Sequence, residues 1–154
     1  MTQKNKLVIV VTVLAIAAVV WYSLSPKPKY GSSSIAFKKT GEVVQAYVPL
    51  DDYTSHLGLG GRSVLPEDYG MLWQFTNPTK PSFTMDGMRI PLDFLWMKDG
   101  KIVEVTSNVP IDRKSLQPTV DVTGMLEVNA GYAEKRGLQA GDEALIMGSS
   151  WTGN

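Results

Sequence analysis

A mainly β domain is the architecture this sequence predicts: a compact β-sandwich or barrel-like fold with two short helices, behind one N-terminal transmembrane helix. Three observations predict it. Asp99-Gly100 sits between two apolar runs, Leu92 to Lys98 and Lys101 to Thr106, which is the chemistry of a two-residue hairpin turn. Short segments rich in Val, Ile, Tyr, Phe and Trp recur between Gly and Pro from residue 42 to residue 147, the spacing of many short strands. Ahead of them lies one uncharged stretch, Leu7 to Leu24.

That stretch, LVIVVTVLAIAAVVWYSL, is 18 residues long. As a helix it spans roughly 27 Å, close to the hydrocarbon thickness of about 30 Å. It is apolar all round, whereas a core helix carries a polar stripe. Trp21 and Tyr22 fall at one end, where amphipathic rings favour the membrane interface. The run is longer than the apolar region of a cleaved signal peptide, and no small-x-small site follows Tyr22. The absence of cysteine excludes a lipoprotein anchor, disulfides and thiolate metal sites. An uncleaved signal anchor in the cell membrane, single-pass, is therefore expected behind the basic start Met1 to Lys6. Lys4 and Lys6 precede it and Lys27 and Lys29 follow it, so the positive-inside bias is slight. The short leader and long following domain place the amino terminus in the cytoplasm and the domain outside it.

Residues 25–34, SPKPKYGSSS, read as a juxtamembrane linker, extended at the prolines and loose at the serines. The domain is expected over 35–147 and a tail over 148–154. All 15 acidic residues lie after residue 30, against 11 basic ones there, so this part carries a net charge of −4. A mildly acidic domain is a poor nucleic-acid binder.

The elements follow in order. Glu42 to Val48 reads as a strand ended by Pro49. Asp51 stands where an N-cap would, ahead of a helical turn through about Leu57 that Gly58, Gly60 and Gly61 stop. Leu65 to Gly70 is turn chemistry, and Met71 to Phe75 a strand closed by Asn77-Pro78. In the Asp99-Gly100 hairpin, counting from the turn sets Met97 opposite Ile102, Trp96 opposite Val103 and Phe94 opposite Val105. One face then carries Phe94, Trp96, Val103 and Val105, and the other Leu95, Met97, Ile102 and Glu104. Near-apolar character on both faces predicts a central hairpin covered on both sides. Asp86-Gly87 is a second turn of the same kind, pairing Met85 with Met88. Val109 to Val122 reads as a long loop, Gly124 to Val128 as a strand, and Asn129 to Arg136 as a short helix stopped by Gly137. Glu143 to Met147 is the last strand.

The order of these pieces resembles the family called domain of unknown function 192. Its members share Gly-Leu-Met-x-Arg, then Leu-Pro-x-x-x-Gly-Met-Leu-Phe, then Phe-Trp-Met-Lys with Pro-Leu-Asp, and later Leu-Glu-x-x-x-Gly and Gly-Asp. Here Gly58-Leu59-Gly60-Gly61-Arg62 is similar to the first, with Gly60 in place of methionine. Leu65-Pro66-Glu67-Asp68-Tyr69-Gly70-Met71-Leu72-Trp73 is similar to the second. Phe83-Thr84-Met85-Asp86 with Pro91-Leu92-Asp93 is similar to the third, with Thr84 for tryptophan and Asp86 for lysine. Leu126 to Gly131 and Gly141-Asp142 complete the likeness, which runs over roughly 42–146. The resemblance implies a small β-rich domain, often behind a signal or anchor segment, with no known substrate. If the family uses its lysine or tryptophan on a ligand, Asp86 reverses that charge and Thr84 removes that ring.

No recognised catalytic motif is present: there is no GxSxG, HExxH, P-loop or EF-hand pattern. No catalytic residue, cofactor or metal ligand is expected. His56, the one histidine, reads as a surface residue on a short helix. Asp93 opens a hydrophobic strand, so its carboxylate is expected to be partly buried and to need a partner, with Arg62 or Arg89 as bidentate candidates or a backbone cap instead. Arg62, Met85, Asp86, Arg89 and Asp93 form the candidate ligand-binding set. Trp73 and Trp96 read as core. The expected function is a membrane-anchored extracytoplasmic binding or interaction module, its partner an envelope protein, a glycan or a small ligand. The rival is an envelope hydrolase using carboxylates around Asp93 and Arg62, with Asp86 or Glu127 as the second carboxylate. A cleft holding a carboxylate of raised pKa would favour the enzyme. A closed Asp93–Arg62 pair would favour the module.

Overall fold

The computed structural model describes residues 11–16, 20 and 29–148. Residues 11–16 and 20 are helical, and the rest of the expected Leu7–Leu24 span lies outside the described residues. Among the described residues no helix is long and apolar enough to cross a membrane.

Seven strands form one mixed sheet: β1 (Gly31–Phe37), β2 (Val43–Val48), β3 (Tyr69–Thr79), β4 (Leu92–Lys98), β5 (Lys101–Val109), β6 (Val122–Asn129) and β7 (Ala144–Met147). Two short helices, α1 (Asp52–Leu57) and α2 (Tyr132–Arg136), complete the domain. The strand order is β5-β4-β6-β3-β2-β1-β7, and all neighbours are antiparallel except β2 and β3. The mainly β class and the helices agree with the sequence reading. A sandwich does not form, because one sheet curls until its two margins meet. Ile102 N–H donates to Asp142 C=O at 2.9 Å and Ala144 N–H to Gly100 C=O at 2.9 Å. The result is a half-barrel.

Curling gives the sheet two apolar faces. Ile35, Val44, Leu72, Leu95, Ile102 and Leu126 fill the inside of the curl, together with Tyr132 and Leu138 from the α2 end. Met71, Phe94, Trp96 and Met125 project from the other face, under Leu59, Leu65, Met85 and Leu116 from the loops. Strand β4 is buried on both faces from Leu92 to Met97, as the run of apolar residues requires. Its partner β5 lies instead at the sheet margin.

Four local expectations need correction. The Met71–Phe75 strand does not close at Asn77-Pro78: β3 runs through both to Thr79, which pairs with Val122 after an irregularity in the β6 register. Strand β1 begins at Gly31, so residues 31–34 of the expected linker are strand; the small polar serines pair with β2 through backbone bonds that composition does not reveal. The β4–β5 register shifts between Trp96 and Met97, so Trp96 pairs with Glu104 and Leu95 with Val105. Val103 is the bulged residue, and from it to the second shift near Asn108 the β5 side chains change face; Val105 consequently packs inside the curl. Asp99 and Gly100 both have positive φ, at 51° and 73°, as a type I′ turn demands. At the second turn only Gly87 does, at 79°. Met88 N–H still donates to Met85 C=O at 3.0 Å, but the turn is of a different kind.

Asp93 is fully buried, and neither arginine meets it. Its Oδ1 accepts from Asn108 N–H at 2.7 Å and Gly131 N–H at 3.1 Å, and its Oδ2 from Ala133 N–H at 2.9 Å. A second register shift in β5 turns the Asn108 amide inward, with φ at 53°. Helix α2 starts at Gly131, which offers no side-chain cap, so Asp93 supplies from β4 the acceptor that an N-cap side chain supplies locally. Of the alternatives open in the sequence, the backbone cap is realised and the ion pair is not. Replacing Asp93 with Ala strands three backbone donors at once. Asp93→Ala should cost about 3 kcal/mol or more and Asp93→Asn less, because an amide oxygen keeps part of the set. Urea unfolding followed by tryptophan fluorescence measures both; a loss under about 1 kcal/mol for Asp93→Ala would contradict the capping role.

Candidate functional site

A cleft of about 380 Å³ opens on the outer face of the sheet, between α1 and the segment before β4. Its floor is sheet: Trp73 and Phe75 of β3, Leu92 of β4 and Glu127 of β6. One lip is α1 with the following turn, contributing Ser55, His56 and Leu59; the other is the 81–88 segment, contributing Phe83, Met85 and Met88.

Local rules place both lips. Asp51 Oδ1 accepts from Thr54 N–H at 2.7 Å while Thr54 Oγ1 accepts from Asp51 N–H at 3.1 Å, a reciprocal cap that starts α1 as the sequence predicts. The Thr54 N–H and hydroxyl hold the Asp51 carboxyl below its usual value. Gly60 N–H returns to Leu57 C=O at 2.8 Å. A Cβ at Gly60 would lie 2.6 Å from that carbonyl oxygen, so the methionine of the family pattern could not be seated in this turn as it stands. The opposite lip is hooked to the 113–116 strip: Phe83 and Leu116 exchange two backbone bonds of 3.0 Å, and Met85 N–H donates to Arg113 C=O at 3.0 Å. Gly61 N–H to Gly87 C=O, 3.0 Å, ties the two lips together. Under them, Trp73 meets Phe83 edge-on with ring centroids 5.1 Å apart, and Phe83 packs on Phe94 and Trp96, a contact geometry that adds to simple burial.

Glu127 is the residue out of place. The alternation of β6 sends Met125 and Glu127 to the outer face, and Glu127 is paired with Met71 on β3 and Phe94 on β4. It is only 6 % exposed. Burial pushes its carboxyl from 4.5 up to about 8, and the neighbouring Trp73 indole lowers it only in part. Burial therefore favours the protonated carboxyl, the form able to donate a proton. Trp73 Nε1 is itself buried and completes no hydrogen bond, although it lies near enough to Glu127 to favour the carboxylate. Gly70 explains how β3 and β6 come so close here: a Cβ on it would lie 2.4 Å from the Glu127 carbonyl oxygen.

The residues singled out in the sequence divide. Met85 and Asp86 line the cleft. Met85 is buried, while Asp86 is exposed at the rim and paired with Lys114 at 2.7 Å, which holds its carboxyl low. Arg62 lies elsewhere, with its guanidinium carbon 4.4 Å from the Tyr47 ring centre and 5.8 Å from that of Tyr30, an arrangement suited to cation–π attraction. Arg89 is exposed outside the cleft, and Asp93 is the cap described above. The expected cluster of Asp93 with Arg62 or Arg89 therefore does not form, because three amides have already taken both carboxylate oxygens. His56 is exposed as expected, its Nδ1 2.7 Å from Asp52 C=O. Trp96 is core and bonds Thr106 Oγ1 at 2.9 Å. Trp73 is only half-buried and belongs to the cleft. Among the described residues no group of three or more His, Asp or Glu is placed to hold a metal ion.

Glu127 is the candidate site residue that sequence reasoning undervalued, as a minor partner for hydrolysis. The signal was there: one acid inside Met125-Leu126-Glu127-Val128, at an alternating position of a strand too apolar to be exposed.

Residues 35–146 match the model of the family domain of unknown function 192, described as uncharacterized ACR. No curated protein matches the chain. Solved structures that share the fold include two from bacteria. A protein of unknown function from Novosphingobium aromaticivorans is 23 % identical, with a TM-score of 0.67, covering 75 % of this chain and 84 % of its own. A protein from Sinorhizobium meliloti, provisionally described as a transcription regulator, is 25 % identical, with a TM-score of 0.65, covering 79 % of this chain and 97 % of its own.

The neutral Glu127 acid has a measurable consequence. Between about pH 4.5 and pH 8 the folded chain keeps a proton that the unfolded chain releases. Stability should therefore fall as pH rises through that window, by at most about 1.4 kcal/mol per unit, and level off above it. The carboxyls held low, Asp51, Glu67, Asp86 and Asp142, act only in more acid solution, where stability is lost as pH falls. Urea unfolding at a series of pH values should show the decline, and Glu127→Gln should flatten it; equal slopes in both proteins would remove Glu127 as its source.

Proposed function

Because this chain belongs to the domain of unknown function 192 family, which brings no activity with it, we propose its function from the cleft: a membrane-anchored, extracytoplasmic module that binds a small ligand. One observation carries the binding reading. A largely apolar cleft of about 380 Å³ is walled by Leu59, Phe75, Phe83, Met85 and Leu92 with a few polar residues among them, Ser55, His56, Ser82 and Glu127, and a few polar groups in an apolar hollow of this size are the mark of a small-molecule site. The anchor reading draws on the Leu7–Leu24 run and on Val11, Val13, Leu14, Ile16 and Val20, whose apolar side chains are all exposed. The net charge of −4 over residues 31–154 speaks against a nucleic-acid partner.

A second reading has its own support. Glu127 is a carboxyl of raised pKa in a cleft that Ser55, His56 and Ser82 also line, so an envelope hydrolase would use Glu127 as general acid rather than Asp93. Asp93 and Arg62 are committed to a backbone cap and to aromatic rings.

Two experiments test the proposal. In cells with a permeabilised outer layer, added protease should digest residues 31–154 of the full-length chain; full protection would place the domain on the cytoplasmic side. In a thermal-unfolding screen of small molecules, a ligand at about 100 times its dissociation constant adds about 2.7 kcal/mol and raises the midpoint by several degrees. Ser82→Trp at the exposed rim should abolish that rise while leaving the unligated midpoint within about 2 °C. A rise that survives it would put the ligand elsewhere, and turnover of the ligand would select the enzyme reading.

A further inference from the structure

We infer that the end of the domain where the chain arrives from the Leu7–Leu24 run lies against the bilayer surface, with Leu50, Tyr53 and Val64 in the headgroup region and Arg62 turned to lipid phosphate. The inference rests on the anchor reading and goes beyond it to a surface of the folded domain. It holds on either side of the membrane.

Several contacts fix the junction. Gly31, the first residue of β1, pairs with Val48, the last of β2. The Tyr30 hydroxyl donates to Gly58 C=O at 3.0 Å, in the turn after α1. The Tyr30 ring lies 5.7 Å from the Tyr47 ring, and the Arg62 guanidinium stands over both. Burial pushes the Tyr30 hydroxyl up; Arg62 opposes that, while Tyr53 and Asp51 add to it, so α1 begins beside the same ring. Around this junction three large apolar side chains are open to solvent: Leu50 at 51 %, Tyr53 at 64 % and Val64 at 74 %. Leu50 lies two residues past Val48, and its N–H donates to Thr54 Oγ1 at 3.0 Å, which holds it at the start of α1. Val64 lies two residues past Arg62. Exposed apolar side chains grouped in this way mark a contact surface. Tyrosine, apolar in its ring and polar at its tip, favours the membrane interface.

Covalent reach selects the bilayer as the occupant. Six residue steps separate Leu24, the last of the apolar run, from Tyr30, and six steps reach at most about 20 Å. The headgroup layer takes up about 6 Å of that, and a domain of this size is roughly 35 Å across. A tether shorter than the domain is wide keeps the junction end nearest the lipid. The local concentration is then about millimolar, so a weak contact suffices. Charge neither drives nor opposes it. Exposed Lys29 and half-buried Arg62 stand here against exposed Asp51 and Asp52, a formal balance of zero. Among the described residues Arg62 has no carboxylate partner. Stacking uses the face of its guanidinium and leaves in-plane N–H donors for a phosphate oxygen. Helix α1 is also one lip of the cleft, so the contact holds that lip at the membrane surface.

The chain has no cysteine, so a single-cysteine variant carries one environment-sensitive dye at one known place. Leu50→Cys reports on the junction end. Glu134→Cys reports on α2, which is joined through Tyr132 and Arg136 to Glu42 at the opposite end of β2. Each full-length variant is placed in phosphatidylcholine nanodiscs that contain lipid spin-labelled at the headgroup, a short-range quencher. The dye at position 50 should be quenched roughly threefold more than the dye at position 134, as an apolar surface settled in the headgroups requires. Tyr53→Ser combined with Val64→Ser should bring quenching at position 50 down to the level at 134. Both substitutions are at exposed positions and should leave the urea midpoint unchanged. Equal quenching at 50 and 134, in discs that hold the chain, would overturn the inference and leave the anchor standing. Strong quenching at 50 that the two serines do not reduce would also overturn it, because tether length alone would then explain the proximity. A blue-shifted dye at 50 that the lipid quencher does not reach would assign this surface to a second copy of the chain instead. A chain that does not co-elute with the discs would remove the anchor reading and this inference together.

Discussion

A single carboxylate ties the halves of this domain together. Asp93 lies on the most buried strand, and its two oxygens collect the amides of Asn108, Gly131 and Ala133. One bond holds the β5 bulge, and two begin α2, which has no cap of its own. A charge in an apolar interior is tolerable only when its hydrogen-bonding capacity is met. Meeting it with backbone donors from three segments couples their positions. The β4–β5 register, the start of α2 and the curl of the sheet are then one constraint rather than three.

The α2 end shows the same economy at the surface. Arg136 lies over the Tyr132 ring at 3.8 Å and pairs with Glu42 and Glu67, joining the helix to the segments that enter β2 and β3. Those pairs are partly exposed and individually weak, but the arginine is mostly buried by the ring beneath it. Burial also pushes the Tyr132 hydroxyl up to about 12, so this contact stays uncharged on the tyrosine side across the physiological range. The framework behind the cleft is thus joined by side-chain contacts across its segments, while the cleft has a sheet floor with lips built from α1 and loops laid on the outer face.

That division separates two buried acids that look alike in sequence. Asp93 and Glu127 each stand in an apolar strand run, and each is nearly inaccessible. Asp93 has its acceptors filled by amides, which is the profile of a structural residue. Glu127 faces apolar neighbours across both ladders and an indole N–H that completes no bond, which is the profile of a site. Burial alone cannot distinguish them; the inventory of partners does.

The class of fold, both short helices, the Asp99-Gly100 hairpin, the Asp51 cap and the left-handed end of α2 at Gly137 were legible in the sequence. Each depends on residues a few positions apart, where turn chemistry and capping act without the rest of the chain. Family membership was legible too, through several motifs kept in order. Strand β1 was hidden in its serines because its stability comes from pairing with β2 and β7, not from composition. The bulge at Val103 escaped because register is decided by the packing of whole faces. The partner of Asp93 and the isolation of Glu127 depend on which distant amides arrive beside them, at separations of 15 to 40 residues for Asp93. A sequence names the acids. Only the closed tertiary arrangement decides which one is satisfied and which one is left facing a cleft, because hydrogen-bond partners are assigned by the fold as a whole.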